Sequence, residues 1–401
     1  MSRFLYALLI LLLGLGFSFR LSSQTKTILP KNQQIKLIAT LKKEPRIFEN
    51  RQVLEIGDLQ IYLDLFPKYQ VGDRLKIEAT FDSSGKAFSP KIEKVAHGAS
   101  LGSKLASLRQ QVLVNINGLL PSDEATLVAG SVLGVDRINK EFRDALVKTG
   151  TIHVVVVSGQ NLAIVAGLFA SLVKYLGRRS TLILATLAVF AYAVLTGFEP
   201  PVVRAALMVF ATTLATIFGR QTSVLWNLFL AALIIIFFWP QALFEISFQL
   251  TFAATLGIVT LGQRLSGAWS KVPFLGENAA ISTSAFVFTA PVILFYFGRI
   301  SLISPIANLL VVEAVSPIMI LGFLVSVASL IFMPLAQVLA YFAYVPALYF
   351  VKVVEILAGF GVGQMSFGKG NLAPLFGWYV LLFSLMWIWR PRSWIKNQKS
   401  Y

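Results

Sequence analysis

Polar residues that could contact a substrate are concentrated in a few stretches of a strongly apolar chain. The densest stretch lies between Thr149 and Asn161. Its candidate residues for lining a polar path are His153, Ser158, Gly159, Gln160 and Asn161. Glycine beside serine and two amides within an apolar run predicts a locally open helix whose backbone and amide groups face a cavity. Helix packing through small and polar residues is the alternative interpretation.

Later stretches supply further candidates for the same path. Arg204 follows the turn Glu199-Pro200-Pro201, where its guanidinium either snorkels to the membrane interface or meets a passing phosphate group. Gln249 alternates with large apolar residues in the sequence FEISFQLTF, and Asn308 and Glu313 lie in another apolar run. Because an unpaired acid in a membrane span is costly, Glu313 is a site candidate by default.

The residue types exclude several kinds of chemistry. Cysteine is absent and His97 and His153 are the only histidines, so disulfides, thiolate metal sites and histidine-rich zinc sites cannot form. Ser158 does not lie in a Gly-x-Ser-x-Gly motif, which argues against a serine hydrolase. The sequence also contains no Walker A motif. It therefore predicts no metal, no cofactor, no catalytic constellation and no enzyme.

The composition requires lipid to solvate most of the chain. Of 401 residues, 56% are hydrophobic and only 13% are charged, which is not typical of a soluble globular protein. Apolar runs of about 20 residues are long enough to cross a bilayer. We predict a polytopic α-helical membrane protein with about ten transmembrane helices, at 4–19, 151–173, 181–197, 202–218, 224–239, 244–262, 280–297, 306–330, 335–358 and 373–389.

The charges between these spans predict their orientation. The net charge is +16, and basic residues of membrane proteins accumulate in cytoplasmic connections. If Arg3 is cytoplasmic, successive connections lie on alternating sides of the membrane. Only Arg299 and Lys369 then lie in the short outer connections. This asymmetry predicts ten spans and a cytoplasmic basic tail at 391–401.

The N-terminal segment 1–23 is predicted to be a transmembrane anchor. Its apolar run is followed directly by Arg20 and by no small-x-small cleavage site, which favours an anchor over a signal peptide. The anchor would place the following residues outside the cytoplasm.

Residues 24–100 are predicted to form a small all-β domain of the OB type. Short alternating stretches are separated by turn sequences such as Ile56-Gly57-Asp58, a pattern typical of small barrels. Aromatic side chains that could stack on nucleic-acid bases are Tyr62, Phe66, Tyr69 and Phe81. Packing in or around the core is the alternative for each of them.

Residues 101–150 are predicted to form interfacial amphipathic helices. Leu105, Leu108 and Val112 recur at three- and four-residue steps, which indicates a helix lying flat at the membrane surface. Ser122 is the predicted N-cap of a second helix. The transmembrane domain would then occupy 151–390.

Four of these segments resemble the ComEC competence family. They read HVVVVSGQNL, TGFEPPVVRAALM, FEISFQLTFAATLGI and ISLISPIANLLVVEAVSP, in the family's order. The resemblance covers residues 120–330, and the β-domain is similar to the family's extracellular OB-like domain. It implies a channel that moves transforming DNA as a single strand through the inner membrane of a bacterium. Single-stranded DNA and membrane lipids are the implied partners.

Two departures limit what the resemblance implies. The family motif typically reads Ser-Gly-x-His, whereas Asn161 follows Ser158-Gly159-Gln160 here, so a role for an imidazole at that position is not expected. Many members carry a C-terminal metallo-β-lactamase-like domain, and this sequence has neither the length nor the histidines for one. We therefore expect a separate nuclease, and a cytoplasmic motor or single-strand-binding protein, as partners.

Two other classes of function remain open. A transporter of a small anionic solute could use the same scaffold, with a closed midplane pocket and one charged anchor. A membrane-embedded enzyme would need Glu199, Glu245 or Glu313 beside Ser158 or His153 in one cavity.

Overall fold

The computed structural model of this chain has two regions, seven short strands followed by a set of helices. It describes residues 34–41, 45–48, 51–57, 59–64, 66–82, 86–88, 90–97, 101–155, 158–198, 200–219, 223–269, 275–360, 364–366, 370 and 372–388. The predicted anchor at 1–23, the predicted tail at 391–401 and Glu199 lie outside these residues.

The strands form two small sheets. They are β1 Gln34–Thr40, β2 Arg46–Phe48, β3 Arg51–Ile56, β4 Leu59–Asp64, β5 Asp73–Thr80, β6 Lys86–Phe88 and β7 Lys91–His97. One sheet has the order β1-β5-β7 and is antiparallel. The other has the order β2-β3-β4-β6, in which only β4 and β6 are parallel. The structure thus confirms a small β region, while closure into an OB-type barrel remains a prediction.

The aromatic residues of this region divide between core and surface. Tyr69 is 9% exposed and Phe81 is 1% exposed, and both pack with Leu54, Ile61 and Leu75. The prediction that they stack on bases is therefore wrong, because a base cannot reach a buried ring. Burial also raises the pKa of the Tyr69 phenol. Phe66 is 71% exposed, and Tyr62 is partly buried on β4.

The remaining chain is almost entirely helical. Its helices are α1 Leu101–Leu119, α2 Ser122–Leu133, α3 Lys140–Thr149, α4 Ile152–Val155, α5 Gly159–Ala170, α6 Val173–Leu176, α7 Arg178–Leu195, α8 Pro200–Ile217, α9 Val224–Phe238, α10 Ile246–Gly257, α11 Gln263–Trp269, α12 Leu275–Phe297, α13 Ser304–Ile331, α14 Met333–Gly359 and α15 Leu372–Ile388. A π-helical turn, Ile258–Gly262, joins α10 to α11, and strands β8 Arg299–Ser301 and β9 Gln364–Ser366 pair antiparallel.

Six helices of the described residues are long and apolar enough to cross a membrane. They are α7, α8, the continuous Ile246–Trp269, α12, α13 and α14, and α5 and α9 are shorter apolar helices. With α15, each predicted span from 151 onward coincides with helical structure. The run predicted as one span at 151–173 is interrupted at Ser158, whose backbone is extended. The architecture is that of a polytopic helical membrane protein.

Helices α1, α2 and α3 pack into the main helical core. Val112, Ile116, Leu127 and Leu146 are buried with residues of α13 and α14. A side chain at Gly322 of α13 would meet Val128 of α2. The apolar faces predicted to rest on lipid at 101–150 are therefore largely covered by other helices.

Helices α12 and α13 do not form a full-length antiparallel hairpin. Such a hairpin would set Ser304 beside Phe297, but Ser282 Oγ donates to Pro305 O at 3.2 Å and accepts from Asn308 Nδ2 at 3.0 Å. Ser282 lies 15 residues before Phe297, which is about 22 Å along a helix. The connection through β8 must therefore lead back along α12 before α13 begins.

A proline inside α12 is matched by donors from α15. Pro291 lacks an N–H and so leaves the carbonyl of Val287 without its helical partner. Trp378 Nε1 donates to Val287 O at 3.1 Å, and the Tyr379 hydroxyl donates to Phe288 O at 2.7 Å. Because backbone groups in lipid need partners, α15 completes the hydrogen bonding of α12.

Candidate functional site

Arg204 is a buried cation in the membrane-spanning part of the protein. It lies in the second turn of α8, after Pro200 and Pro201, which suit the first turn of a helix because their missing N–H groups would be unpaired there. Its side chain is only 3% exposed. The snorkelling interpretation is therefore wrong for this structure, because the guanidinium points inward.

The groups hydrogen bonded to the Arg204 guanidinium are neutral, while the Glu245 carboxylate interacts with it electrostatically without forming an ion pair. Nη2 donates to Thr251 Oγ1 at 2.7 Å, to Ser247 O at 3.0 Å and to Ser247 Oγ at 3.3 Å. The guanidinium carbon lies 5.9 Å from the centre of the Phe248 ring, within cation–π distance. Nε is buried and has no hydrogen-bond partner among the described residues. The cation is thus held by one turn of α10 and keeps unused donor capacity.

A second polar cluster caps the C-terminal end of α2. The last carbonyls of a helix have no partner within it. Here Ser131 O accepts from Asn161 Nδ2 at 3.1 Å and from the Tyr192 hydroxyl at 2.6 Å, and Leu133 O accepts from Arg109 Nη2 at 3.0 Å. Asn161 is fully buried. Its amide therefore holds α2 against α5 rather than facing open space.

The residues around Asn161 lie where the helical run is interrupted. Helix α4 ends at Val155 and α5 begins at Gly159, with Ser158 as its extended N-cap residue. Ser158 Oγ donates to Asn161 Oδ1 at 3.3 Å. Gly159 and Gln160 are exposed on the surface of the chain. The predicted residues at 158–161 thus divide into a buried capping amide, a partly buried N-cap serine and two exposed residues of the first turn.

The two donors on Ser131 O give a measurable prediction. We expect Tyr192→Phe or Asn161→Ala alone to lower the free energy of unfolding by about 1 kcal/mol, because the carbonyl keeps one donor. The double variant should lower the free energy of unfolding by about 1–3 kcal/mol more than the sum of the two single-variant effects, since the buried Ser131 carbonyl then has no partner. A double-mutant cycle of thermal unfolding in detergent measures this coupling, and simple additivity would contradict it.

A third cluster joins α4, α12 and α13. His153 Nδ1 lies 3.0 Å from Gly150 O, and the Asn308 side chain faces the same imidazole. Asn308 Nδ2 also donates a hydrogen bond to Ser282 Oγ of α12. One turn before Ser282, Asn278 Nδ2 donates to Glu313 Oε1 at 2.7 Å. The structure therefore brings His153, Asn308 and Glu313 to one seam between α12 and α13.

Several members of these clusters were not predicted from sequence. Tyr192, Ser282 and Asn278 were missed. Of the polar residues that alternate along 247–251, Ser247 and Thr251 hold Arg204, whereas Gln249, the one predicted to line the path, donates to Leu243 O at 3.2 Å. The only available signal was that each missed residue is a polar residue within an apolar run, and this does not identify its partner.

Two candidates for hydrolytic chemistry, Ser158 and Glu313, each form a hydrogen bond with a side-chain amide. The partner of Ser158 is Asn161, and the partner of Glu313 is Asn278. No group of three or more histidine or carboxylate side chains that could hold a metal ion occurs among the residues that the structure describes. The arrangement can bind or guide an anion at Arg204 and form hydrogen bonds along the α12/α13 seam.

Comparison with known proteins identifies relatives of the helical region. A family model described as Competence protein matches residues 132–392. ComE operon protein 3 of Bacillus subtilis strain 168 is 29% identical over 225 residues, which are 55% of this chain and 28% of that protein.

Two uncharacterized bacterial proteins are also similar. One from Aquifex aeolicus strain VF5 is 31% identical over 192 residues, covering 48% of this chain and 43% of that protein. YcaI of Escherichia coli strain K12 is 27% identical over 318 residues, covering 74% and 41%. The chain spans less than half the length of each of these three relatives. No solved structure matches the chain significantly.

Proposed function

Because the chain belongs to the competence protein family, we propose that it forms a ComEC-like route by which single-stranded transforming DNA crosses the cytoplasmic membrane of a bacterium. The matched family region covers α3 to α15 and so contains the Arg204 cluster, the cluster at the α12/α13 seam, and Asn161 and Tyr192 of the second cluster. In this proposal, the residues lining the route are His153, Ser158, Gly159, Gln160, Arg204, Gln249, Asn308 and Glu313, while the buried Asn161 holds α2 beside it.

The observation that carries the proposal is the environment of Arg204. A cation inside the membrane region is costly unless it meets a counter-charge or water. The groups hydrogen bonded to Arg204 are neutral, and Glu245 acts on it electrostatically but forms no ion pair with it. Its buried Nε–H can donate to one further acceptor. In the proposed route, opening of the contact between α8 and α10 lets a phosphate group of a passing strand reach this donor and supply both a charge and an acceptor. Weak, repeated contacts of this kind allow a polyanion to move on.

The β region at 24–100 is proposed to lie outside the cytoplasm and to meet the strand first. Phe66 is exposed and Lys68 Nζ lies 5.4 Å from its ring centre. An aromatic ring beside a cation is a combination that single-strand-binding surfaces use. The loop charges support this orientation, with the anchor at 1–23 preceding the domain and the tail at 391–401 in the cytoplasm.

The force that moves the strand is assigned to partners. In this proposal, a cytoplasmic motor or single-strand-binding protein pulls the incoming strand, and a separate nuclease degrades the other strand. A transporter of a small anion would need none of these partners, which separates the two hypotheses in the cell.

The test is an uptake assay in the source bacterium. Deleting the gene should abolish entry of labelled DNA into the cytosol, while DNA bound at the cell surface persists, and a plasmid copy should restore entry. Unchanged entry in the deletion strain would reject the proposal and leave the small-anion transporter as the better hypothesis.

A further inference from the structure

Strand β8 presents a cation beside the start of α13. Side chains alternate along a strand, so Arg299 and Ser301 point to one side of β8 and Ile300 to the other. Ile300 and Ser301 are buried, whereas Arg299 is exposed. The antiparallel pairing of β8 with β9 fixes the position of the strand, with Arg299 aligned to Ser366.

Lys148 lies close to β8, and we call the surface formed by Arg299 and Lys148 the β8 corner. Ser301 Oγ donates to Lys148 O at 2.5 Å, so the last turn of α3 rests against the side of β8 from which Arg299 also projects. Lys148 is exposed. Two cations from distant parts of the sequence are therefore brought to one surface.

Neither cation is neutralised by a neighbour in the part of the chain that the structure describes. The ion pairs found there involve other residues, and Asp144, one turn before Lys148, lies beyond ion-pair distance. The C-terminal end of a helix favours a cation such as Lys148. That effect does not account for Arg299, which lies on a strand.

The β8 corner adjoins the third polar cluster, which contains His153 and Asn308. A side chain at Gly150 would lie 2.5 Å from Ser304 Oγ, so the end of α3 contacts the first turn of α13. His153 and Asn308 follow within one turn of these residues on α4 and α13. A ligand held by the two cations would therefore lie next to the polar seam between α12 and α13.

We propose that Arg299 and Lys148 form a binding site for phosphodiester groups of single-stranded nucleic acid at the mouth of this seam. The assignment rests on the proposed function and adds two contact residues to it. Arg299 can donate two parallel hydrogen bonds to one phosphate, and Lys148 provides a point charge for another. The site reads no sequence, because it contacts the backbone.

The test measures binding of a fluorescent single-stranded 30-mer to the full-length protein in zwitterionic nanodiscs across a range of salt concentrations. The logarithm of the binding constant falls with the logarithm of salt by about 0.7 for each phosphate neutralised on a single strand. We expect Arg299→Gln or Lys148→Gln to reduce the magnitude of this slope by about 0.7, and the double variant to reduce it by about 1.4.

Matched variants separate this effect from a general loss of charge. Lys140→Gln removes an exposed cation at the other end of α3 and should leave the slope unchanged, while Arg299→Lys should keep the wild-type slope. An unchanged slope in both neutralised variants would overturn the site but not the proposed function. Failure of the wild type to bind DNA at any salt concentration would overturn the proposed function itself. If the neutralised variants lost affinity for anionic lipid in the nanodiscs but not for the 30-mer, the two cations would be lipid contacts, and the site would be overturned.

Discussion

Replacing Arg204 by Gln is expected to lower entry of labelled DNA into the cytosol by about 10- to 100-fold. A hydrogen bond to a charged group contributes about 1.5–3 kcal/mol, and each 1.36 kcal/mol corresponds to a factor of ten in rate. The glutamine keeps a donor for Ser247 and Thr251 but loses the charge that meets phosphate. Uptake of labelled DNA, normalised to the amount of protein in the membrane, measures the effect.

Two variants control for a purely structural role of Arg204. Arg204→Lys keeps the cation without the planar fork, so it should retain more uptake than Arg204→Gln. Arg178→Gln removes an exposed cation at the start of α7 and should leave uptake unchanged. If Arg204→Gln matched the wild type in uptake and abundance, Arg204 would not contact the cargo.

Replacing Gly257 by Ala is expected to destabilise the packing of α10 on α12 by about 1–3 kcal/mol. A Cβ there would lie 2.5 Å from Ser284 O and 2.9 Å from Phe288 Cβ. Ser284 O is backbone and Phe288 is fully buried, so neither can move away without displacing α12. Thermal unfolding of the purified protein in detergent should show a lower midpoint.

Gly267 provides the matched control for Gly257. It lies in the same span, and a Cβ there would meet nothing within 4 Å. Alanine should therefore be neutral or stabilise α11 by up to about 1 kcal/mol, because glycine is a poor helix former. Equal destabilisation by both substitutions would show that close contact between α10 and α12 is not the reason why position 257 requires glycine.

The elements of this fold could be predicted from sequence because each follows from a local pattern. Apolar runs identified every helix of membrane-spanning character after residue 150, and alternation identified β1, β3, β4, β5 and β7. Helix α3 was missed as a separate element because its ten residues are mostly polar. The interruption at Ser158 was indicated by the glycine and amides around it.

The arrangement of the elements could not be predicted in the same way. Alternating spans joined by short connections predict simple hairpins, but the contact of Ser282 with Asn308 depends on how β8 directs the chain. The covering of α1 and α2 by α13 is likewise a long-range contact. An amphipathic helix has the same sequence pattern whether lipid or protein covers its apolar face.

The candidate site was predicted as a set of residues but not as a set of contacts. Arg204 and Asn161 were identified because polar groups in apolar runs are costly. The partner of Asn161 is a backbone carbonyl, Ser131 O, which any residue type would supply. Tyr69 and Phe81 were misassigned because aromatic residues serve the core of a small β-domain as well as its surface.

The donors that α15 offers to α12 bear on how the protein is made. Helix α12 ends at Phe297 and α15 begins at Leu372, so the ribosome completes α12 well before Trp378 and Tyr379 exist. During that interval, the carbonyl of Val287 lacks its final donor in lipid. Stable integration of α12 is therefore completed only after the insertion machinery releases α15, which makes the order of synthesis part of the folding pathway.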